Sequence, residues 1–407
     1  MQTIIHPNLI GNESVKEAEE ILRNCVHCGF CNAVCPTYQL LGDELDGPRG
    51  RIYLIKNLLE KDRISARSVS HLDRCLTCRS CETTCPSGVQ YGRLLDIGRE
   101  IVAVKVTPPF LRRVKIWVIR TVIPRQLLFS RLLRLGQFLA PILPTILSKK
   151  IPVKTDFVEG RKSSENFLRQ VILLQGCVQQ AATPGVNHAI EQLLAENNVG
   201  VRTLESEGCC GALDYHLSAH KQAIVRIKSL VDQLYDQLDS VECIVSSASG
   251  CGVTIKDYPE ILRYEGKYLE KARRIAEKVK DVSEYLAQFK FDCKGIKIAV
   301  HTPCSLQHGQ QLPDALESIV KSAGAELVEV EEKHLCCGSA GTYSILQPKI
   351  ASELIGRKVR NLEKNSPDVI VTANVGCQLE LQLNANIPVM HWVELFASHK
   401  NLLNSEP

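Results

Sequence analysis

Residues 25–36, CVHCGFCNAVCP, and residues 75–86, CLTCRSCETTCP, carry one pattern twice: Cys-x2-Cys-x2-Cys-x3-Cys-Pro. Thiolates three positions apart on a tight loop converge on three corners of one small cube, the spacing that holds a cubane [4Fe–4S] cluster. The fourth cysteine, followed by proline, lies too far along to close the same cube, and in two-cluster proteins it ligates the other cluster. A pair of such runs is therefore self-consistent in a way that one is not. Zinc knuckles instead pair Cys-x2-Cys units across a longer gap, without third and fourth members.

Working outward, 407 residues allow two or three domains with ordinary cores. The eighteen cysteines fall in motifs, which reads as metal binding in a reducing compartment and not as a secreted disulfide framework. The first residues, MQTIIHPNLIGNESVKEAEE, lack the basic start and apolar run of a signal peptide, so the cytoplasmic side is expected. Net charge is only +4, yet residues 101–155 hold eleven Lys or Arg and no Asp or Glu. That asymmetry points to a partner or an anionic surface for this segment.

Helical periodicity is read over 12–24, over 52–59 through Ile52, Leu54, Ile55, Leu58 and Leu59, and over 94–104. Gly47, Pro48 and Gly50 read as a turn before the second of these. Arg49 and Arg51 stand between two readings, one beside acidic helix ends or a cluster, the other solvated on an exposed turn. Residues 105–165 read as a basic amphipathic linker. No stretch of it reaches the eighteen or so uncharged apolar residues that span a bilayer: Arg131 and Arg134 interrupt it, and Pro141 and Pro144 break its end. It can lie on an anionic membrane, dock another subunit, or pack on its own protein. Nucleic acid is not expected, because no aromatic residues interleave with the charge.

The rest of the chain is an internal repeat. VILLQGC ends at Cys177 and IKIAVHTPC at Cys304; Cys209-Cys210-Gly211 answers Cys336-Cys337-Gly338; Cys251 answers Cys377. The offsets are 127, 127, 127 and 126 residues. Strands alternating with helical stretches predict two α/β units with parallel sheets, each cysteine just past a strand's carboxyl end, where such sheets gather ligands. Glycines flanking the paired cysteines indicate a turn with close backbone approach. Four thiols per copy can converge on a metal, act as small buried hydrophobes, or form a strained redox disulfide. Cys243 and Cys293 have no counterpart and read as structural. His27, inside the first cluster loop, reads as a hydrogen-bond partner of a cluster sulfur. His216, His301, His308 and His334 read as satisfied loop histidines. There is no nucleophile–base arrangement, P-loop or GxGxxG fingerprint, so neither flavin nor nicotinamide is expected on this chain.

Together CVHCGFCNAVCPTYQLLGDELDGPRGRIYLIK, LDRCLTCRSCETTCPSG, GCCGALDYHL, SASGCG, HLCCGSAGTYS and TANVGCQ resemble the iron–sulfur subunits of bacterial glycolate oxidase, over nearly the whole chain. The chain is also similar, at greater distance, to anaerobic glycerol-3-phosphate dehydrogenase third subunits, lactate-utilisation iron–sulfur proteins and heterodisulfide reductase subunits. The resemblance implies an α+β multidomain chain: a helical two-[4Fe–4S] ferredoxin-type domain over 1–104, the linker, then tandem α/β cysteine-rich repeats over 166–290 and 291–407. By motif it assigns one cluster to Cys25, Cys28, Cys31 and Cys85, and the other to Cys75, Cys78, Cys81 and Cys35. It implies an electron-transfer subunit, not catalytic alone, that serves a glycolate-oxidising flavoprotein and a second flavin-domain-like subunit. Its acceptor would be membrane quinone, with the chain peripheral on the inner face of the cytoplasmic membrane. A lactate or glycerol 3-phosphate donor, or thiol or quinone reduction by the repeat half itself, are the alternatives. One departure stands out. The heterodisulfide reductase repeats end in Cys-x2-Cys around a larger cluster, whereas here the last position is Thr254 or Glu380. That leaves four-cysteine sites for iron–sulfur or zinc, Cys177, Cys209, Cys210 and Cys251 in one copy and Cys304, Cys336, Cys337 and Cys377 in the other, or no metal.

Overall fold

The computed structural model describes residues 1–142, 151–152 and 167–403. Lys149, Lys150, Lys154 and Pro144 of the basic segment, and the expected boundary at 165/166, lie outside the described residues.

The first module is helical. Helices Glu13–Asn24, Pro48–Lys61 and Tyr91–Lys105 bury Leu22, Ile55, Leu58, Leu59, Leu94 and Leu95 against one another. Asn12 caps the first, its Oδ1 accepting the Ser14 amide at 2.9 Å. Proline opens the second at its first turn, where the missing N–H costs nothing. Gly50 is therefore helical, not part of a turn as its sequence suggests. It is needed because a Cβ there would stand 2.1 Å from the Glu44 carbonyl oxygen. Helices Phe110–Val122 and Gln126–Leu139 follow, and no helix among the described residues is long and apolar enough to cross a membrane.

Two four-stranded parallel sheets make up the repeats. The first holds β1 (Arg169–Leu174), β2 (Val199–Arg202), β3 (Ile244–Ser246) and β4 (Val279–Asp281) in the order β2-β1-β3-β4. The second holds β5 (Lys297–Val300), β6 (Glu326–Leu327), β7 (Val369–Thr372) and β8 (Val389–His391) in the order β6-β5-β7-β8. Ile172 pairs with Ile244 and Ile298 with Val369 in the matching registers. These strands are covered on both faces, which is why they read as continuous apolar runs.

Alternation along them sorts side chains between two layers. Val171, Leu173, Val245, Ile298, Val300, Val369 and Val371 all enter a single core shared by both sheets. Ile172, Leu174 and Ile244 face the outer helices of the first repeat, and Ala299 and Ile370 those of the second. Helices Pro184–Glu196 and Trp392–Leu403, one from each repeat, pack together in the shared core. Cys243 and Cys293 lie buried there too.

Candidate metal centres

The two cysteine loops adopt one backbone. His27 and Gly29 have φ of 60° and 87°, and Thr77 and Arg79 have φ of 54° and 60°, each pair flanking a cysteine. Left-handed conformation at a β-branched threonine is uncommon and needs a reason. Here the alternation turns successive amides towards one centre, a nest suited to an anion. The Thr77 amide donates to the Cys75 sulfur at 3.4 Å. Short helical turns, Phe30–Ala33 and Ser80–Thr83, then carry the third thiols, Cys31 and Cys81.

Cys25, Cys28, Cys31 and Cys85 line one pocket, open to solvent and walled by Ile52 and Tyr91, which Cys81 of the other run also reaches. Burial pushes the Cys31 thiol up to about 11, and Cys25, Cys28 and Cys85 add to the effect. Cys78 and Cys81 are driven well above the ordinary thiol range, first by burial and then by neighbours that include Cys75 and Cys35. Thiols crowded this way deprotonate only for a cation, whose charge inverts the balance. Sulfur donors, an inward amide nest and an apolar wall fit an anionic thiolate-held cluster.

One arginine attends each set. Arg49 lies against Gly29 and pairs with Glu44 at 2.6 Å. Arg51 is 1 % exposed; it donates to the His71 carbonyl at 2.8 Å and to Thr37 at 3.0 Å, and sits near Cys75 and Cys35. The solvated-turn reading fails for it. His27 is exposed, edge-on to Tyr53.

The loops differ in what covers them. Val26 is 70 % exposed, beside the exposed Cys28 and Phe30. Its counterpart Leu76 is 4 % exposed, packed with Cys78 against Cys304, Cys336 and Tyr343 of the second repeat. The Tyr343 hydroxyl donates to the Arg74 carbonyl at 2.8 Å, and His308 meets Thr83 at 2.9 Å. One loop faces solvent and the other faces the second repeat's thiols.

Both repeats gather their four cysteines at the carboxyl ends of β1–β3 and β5–β7. Sheet order reverses between β1 and β3 and between β5 and β7, the switch point where open α/β sheets bind ligands. In the second repeat Cys304 stands 3.9 Å from Cys336, and Cys337 stands 3.4 Å from Cys377. In the first, the free thiols of Cys177 and Cys209, and of Cys210 and Cys251, are hydrogen-bonded; the first contact pushes Cys177 up and Cys209 down. Cys177, Cys210 and Cys251 line a small pocket with Glu207. The Glu207 carboxylate accepts the Gln175 and Gly176 amides at 2.7 and 2.8 Å.

The second repeat adds two groups that its partner lacks. The nitrogen of His301 and the sulfurs of Cys337 and Cys377 all lie within 4.8 Å of one another. Burial pushes the His301 imidazole down to about 3, so it is the neutral, ligating form, held by Thr372 at 2.9 Å. The Lys358 ammonium, buried and pushed down to about 8 by desolvation, faces Cys336 and Cys337 and donates to the Glu332 carbonyl at 2.8 Å. At the repeat offset of 127, Leu174 and Val231 occupy these positions. The satisfied-loop reading thus misses what His301 faces. Lys358 had a visible signal: a charge in the apolar register of Leu354, Ile355, Val359 and Leu362. His334 does sit in a turn, but His308 lies in the π-helical turn Ser305–Gly309, its ring against the His334 carbonyl at 3.4 Å, and His216 ends the helix Ala212–His216 and faces Asp96.

A 4Fe-4S dicluster domain model matches residues 21–89, and a cysteine-rich domain model matches residues 171–256 and 298–382. The glycolate oxidase iron-sulfur subunit of Escherichia coli (strain K12) is 43 % identical over 400 residues, covering 97 % of this chain and 98 % of that one. A probable glycolate oxidase iron-sulfur subunit of Bacillus subtilis (strain 168) is 30 % identical over 409 residues, covering 91 % of this chain and 90 % of its own. Lactate utilization protein A of Bacillus licheniformis is 27 % identical over 56 % of this chain and 99 % of its own.

Proposed function

This chain belongs to the glycolate oxidase iron–sulfur subunits, and from that premise we propose that it takes electrons from a flavoprotein oxidising glycolate to glyoxylate and passes them towards membrane quinone. A second flavin-domain-like subunit completes the complex, which sits peripherally on the inner face of the cytoplasmic membrane. Cys25, Cys28, Cys31 and Cys85 hold one [4Fe–4S] cluster, and Cys75, Cys78, Cys81 and Cys35 the other. Such clusters exchange one electron each, so two in series divide the pair that a flavin releases.

The contrast between exposed Val26 and buried Leu76 carries the reading. It supports a path that runs in from solvent at the first loop, across to the second, and on to the second repeat. There His301, Cys304, Cys336, Cys337 and Cys377 hold a further metal centre, with Lys358 balancing thiolate charge. Cys177, Cys209, Cys210 and Cys251 form the lesser site. The test is a pair of surface substitutions, Val26→Glu and Phe30→Glu. Iron content and the EPR of both reduced clusters stay as in the parent, while reduction by the flavoprotein slows about ten-fold, equivalent to about 1.4 kcal/mol. Unchanged reduction of both variants would count against intake at this loop. Cys28→Ser is expected to stop quinone reduction while the flavoprotein still reduces a dye.

A further inference from the structure

Helix Phe110–Val122 has two unlike sides. Its inner side is fixed to the protein: Ile119 is 6 % exposed, Arg112 pairs with Asp73, and Arg120 Nε meets Asp214 Oδ1 at 2.7 Å. Its outer side presents Phe110, Leu111, Val114, Trp117 and Val118, all exposed, at the i, i+1, i+4, i+7, i+8 spacing of one helical stripe. Trp117 is 66 % exposed and Phe110 74 %. Arg113 and Lys115 border this stripe on either side. The next helix, Gln126–Leu139, exposes Leu127, Leu135 and Phe138 beside Arg131 and Arg134. None of these four basic residues has an acidic partner among the described residues.

A stripe of this size on an anchored helix needs an occupant. Its own core is not the occupant, since the inner side already faces the body. Charge selects among the rest. Residues 101–155 hold eleven basic residues and no acidic one, and only Lys105, Arg112 and Arg120 are paired with acidic side chains among the described residues. An anionic bilayer attracts a surface of one positive sign, each basic side chain adding to the attraction. Tryptophan and phenylalanine between snorkelling basic residues suit the headgroup boundary, and no helix among the described residues is built to cross it.

We propose that helices Phe110–Val122 and Gln126–Leu139 are a foot that seats this chain on an anionic lipid surface, with the Phe110–Val118 stripe in the acyl boundary and Arg113 and Lys115 at the headgroups. The proposal rests on the membrane-facing reading given above and supplies its contact. It makes peripheral attachment a property of this chain alone, before any partner binds.

The chain carries its own reporter. It has two tryptophans, and Trp392 is fully buried. The intact iron-loaded chain, held without oxygen, is mixed with vesicles of phosphatidylcholine alone or with one third phosphatidylglycerol. It is expected to float with the anionic vesicles only, with the Trp117 emission moving to shorter wavelength, and to be released by 0.5 M salt. Arg113→Gln with Lys115→Gln weakens binding about thirty-fold, the equivalent of about 1 kcal/mol for each basic residue near the leaflet. Phe110→Glu with Val114→Glu abolishes it, at unchanged iron content. Failure to bind anionic vesicles overturns the foot, and the electron-transfer reading survives if the flavoprotein still reduces the clusters in solution. Loss of flavoprotein co-elution in these variants, with vesicle binding intact, also overturns it and makes the stripe a subunit interface. Vesicle binding without reduction by the flavoprotein upholds the foot and fails the other reading.

Discussion

Arg51 ties the second cysteine loop to the helical module through contacts that no spacing rule describes. Its guanidinium reaches Thr37 and the His71 carbonyl, 3.5 Å from an Asp46 carboxylate that lies 3.0 Å from His71 Nδ1 and accepts Arg74 at 2.9 Å. Removing one partner of such a buried group costs more than the pair contributes, because the other is left uncompensated. Arg51→Met is expected to destabilise the iron-loaded chain by about 3 kcal/mol in denaturant unfolding. Arg51→Lys should not restore it, since one ammonium cannot span both acceptors. His391 gives a pH signature. Its ring is buried against the Ser247 carbonyl of the other repeat at 3.1 Å, and desolvation pushes it down to about 4. The folded chain therefore keeps it neutral while the unfolded chain protonates near 6.5, so stability is full above that pH and falls as pH drops towards 4. The slope is about 1.4 kcal/mol per pH unit, and His391→Gln should remove one proton's share of it in unfolding measured from pH 7 to 4. At this scale the two cysteine runs were legible, because spacing alone marks them as a 4Fe-4S dicluster pattern. Arg51 and His301 were not, because arginine belongs at surfaces by default and what a histidine faces depends on the fold.

The paired cysteines owe their placement to the residue after them. Gly211 and Gly338 have φ of 85° and 86°, and each abuts a helix of its own repeat. A Cβ at Gly338 would stand 2.9 Å from the Ala351 carbonyl oxygen, and one at Gly211 2.6 Å from Ile227. Left-handed alanine costs on the order of 1–2 kcal/mol before any clash. Gly338→Ala should therefore lower stability by about 2 kcal/mol or more, and it should move Cys336 and Cys337 off their partners. Thiol titration of the metal-free chain checks this: Cys337 and Cys377 are expected to react faster than in the parent. Unaltered reactivity would show that the turn does not set the site. The turn itself was legible, since glycine beside two cysteines has few other uses. So were the parallel strands, from their apolar runs. Their ends were less so: β1 stops at Leu174, ahead of Gly176 at φ 71°, and not at Cys177. Gly50 misled because Pro-x-Gly usually marks a turn, while close approach of two backbones cannot be seen in one dimension.

The modules are joined in two different ways, and that difference governs how the molecule comes apart. Polar ties, with the small apolar contact at Leu76, hold the cysteine-loop module to the repeats: Arg79 with Asp257, Arg93 with Tyr215, Arg263 with Glu17 and His308 with Thr83. The repeats instead share one apolar core, which the sequence could not reveal, because duplication shows that two units exist and not which faces they turn to each other. Leu193 of the first repeat and Trp392 of the second are both fully buried in that core. If it is a single cooperative body, a cavity on one side must weaken the other. Leu193→Ala is expected to cost about 3 kcal/mol. The loss should appear undiminished in the unfolding of the second repeat, followed by the short-wavelength emission of buried Trp392. Exposed Trp117 emits at longer wavelength and does not obscure it. Two independent domains would instead leave the Trp392 midpoint unmoved while helicity fell in a separate step. The distinction bears on function, because the second repeat's thiols meet the buried cysteine loop through Leu76, Tyr343 and Cys304. That contact keeps its geometry only if the first repeat braces the second from behind.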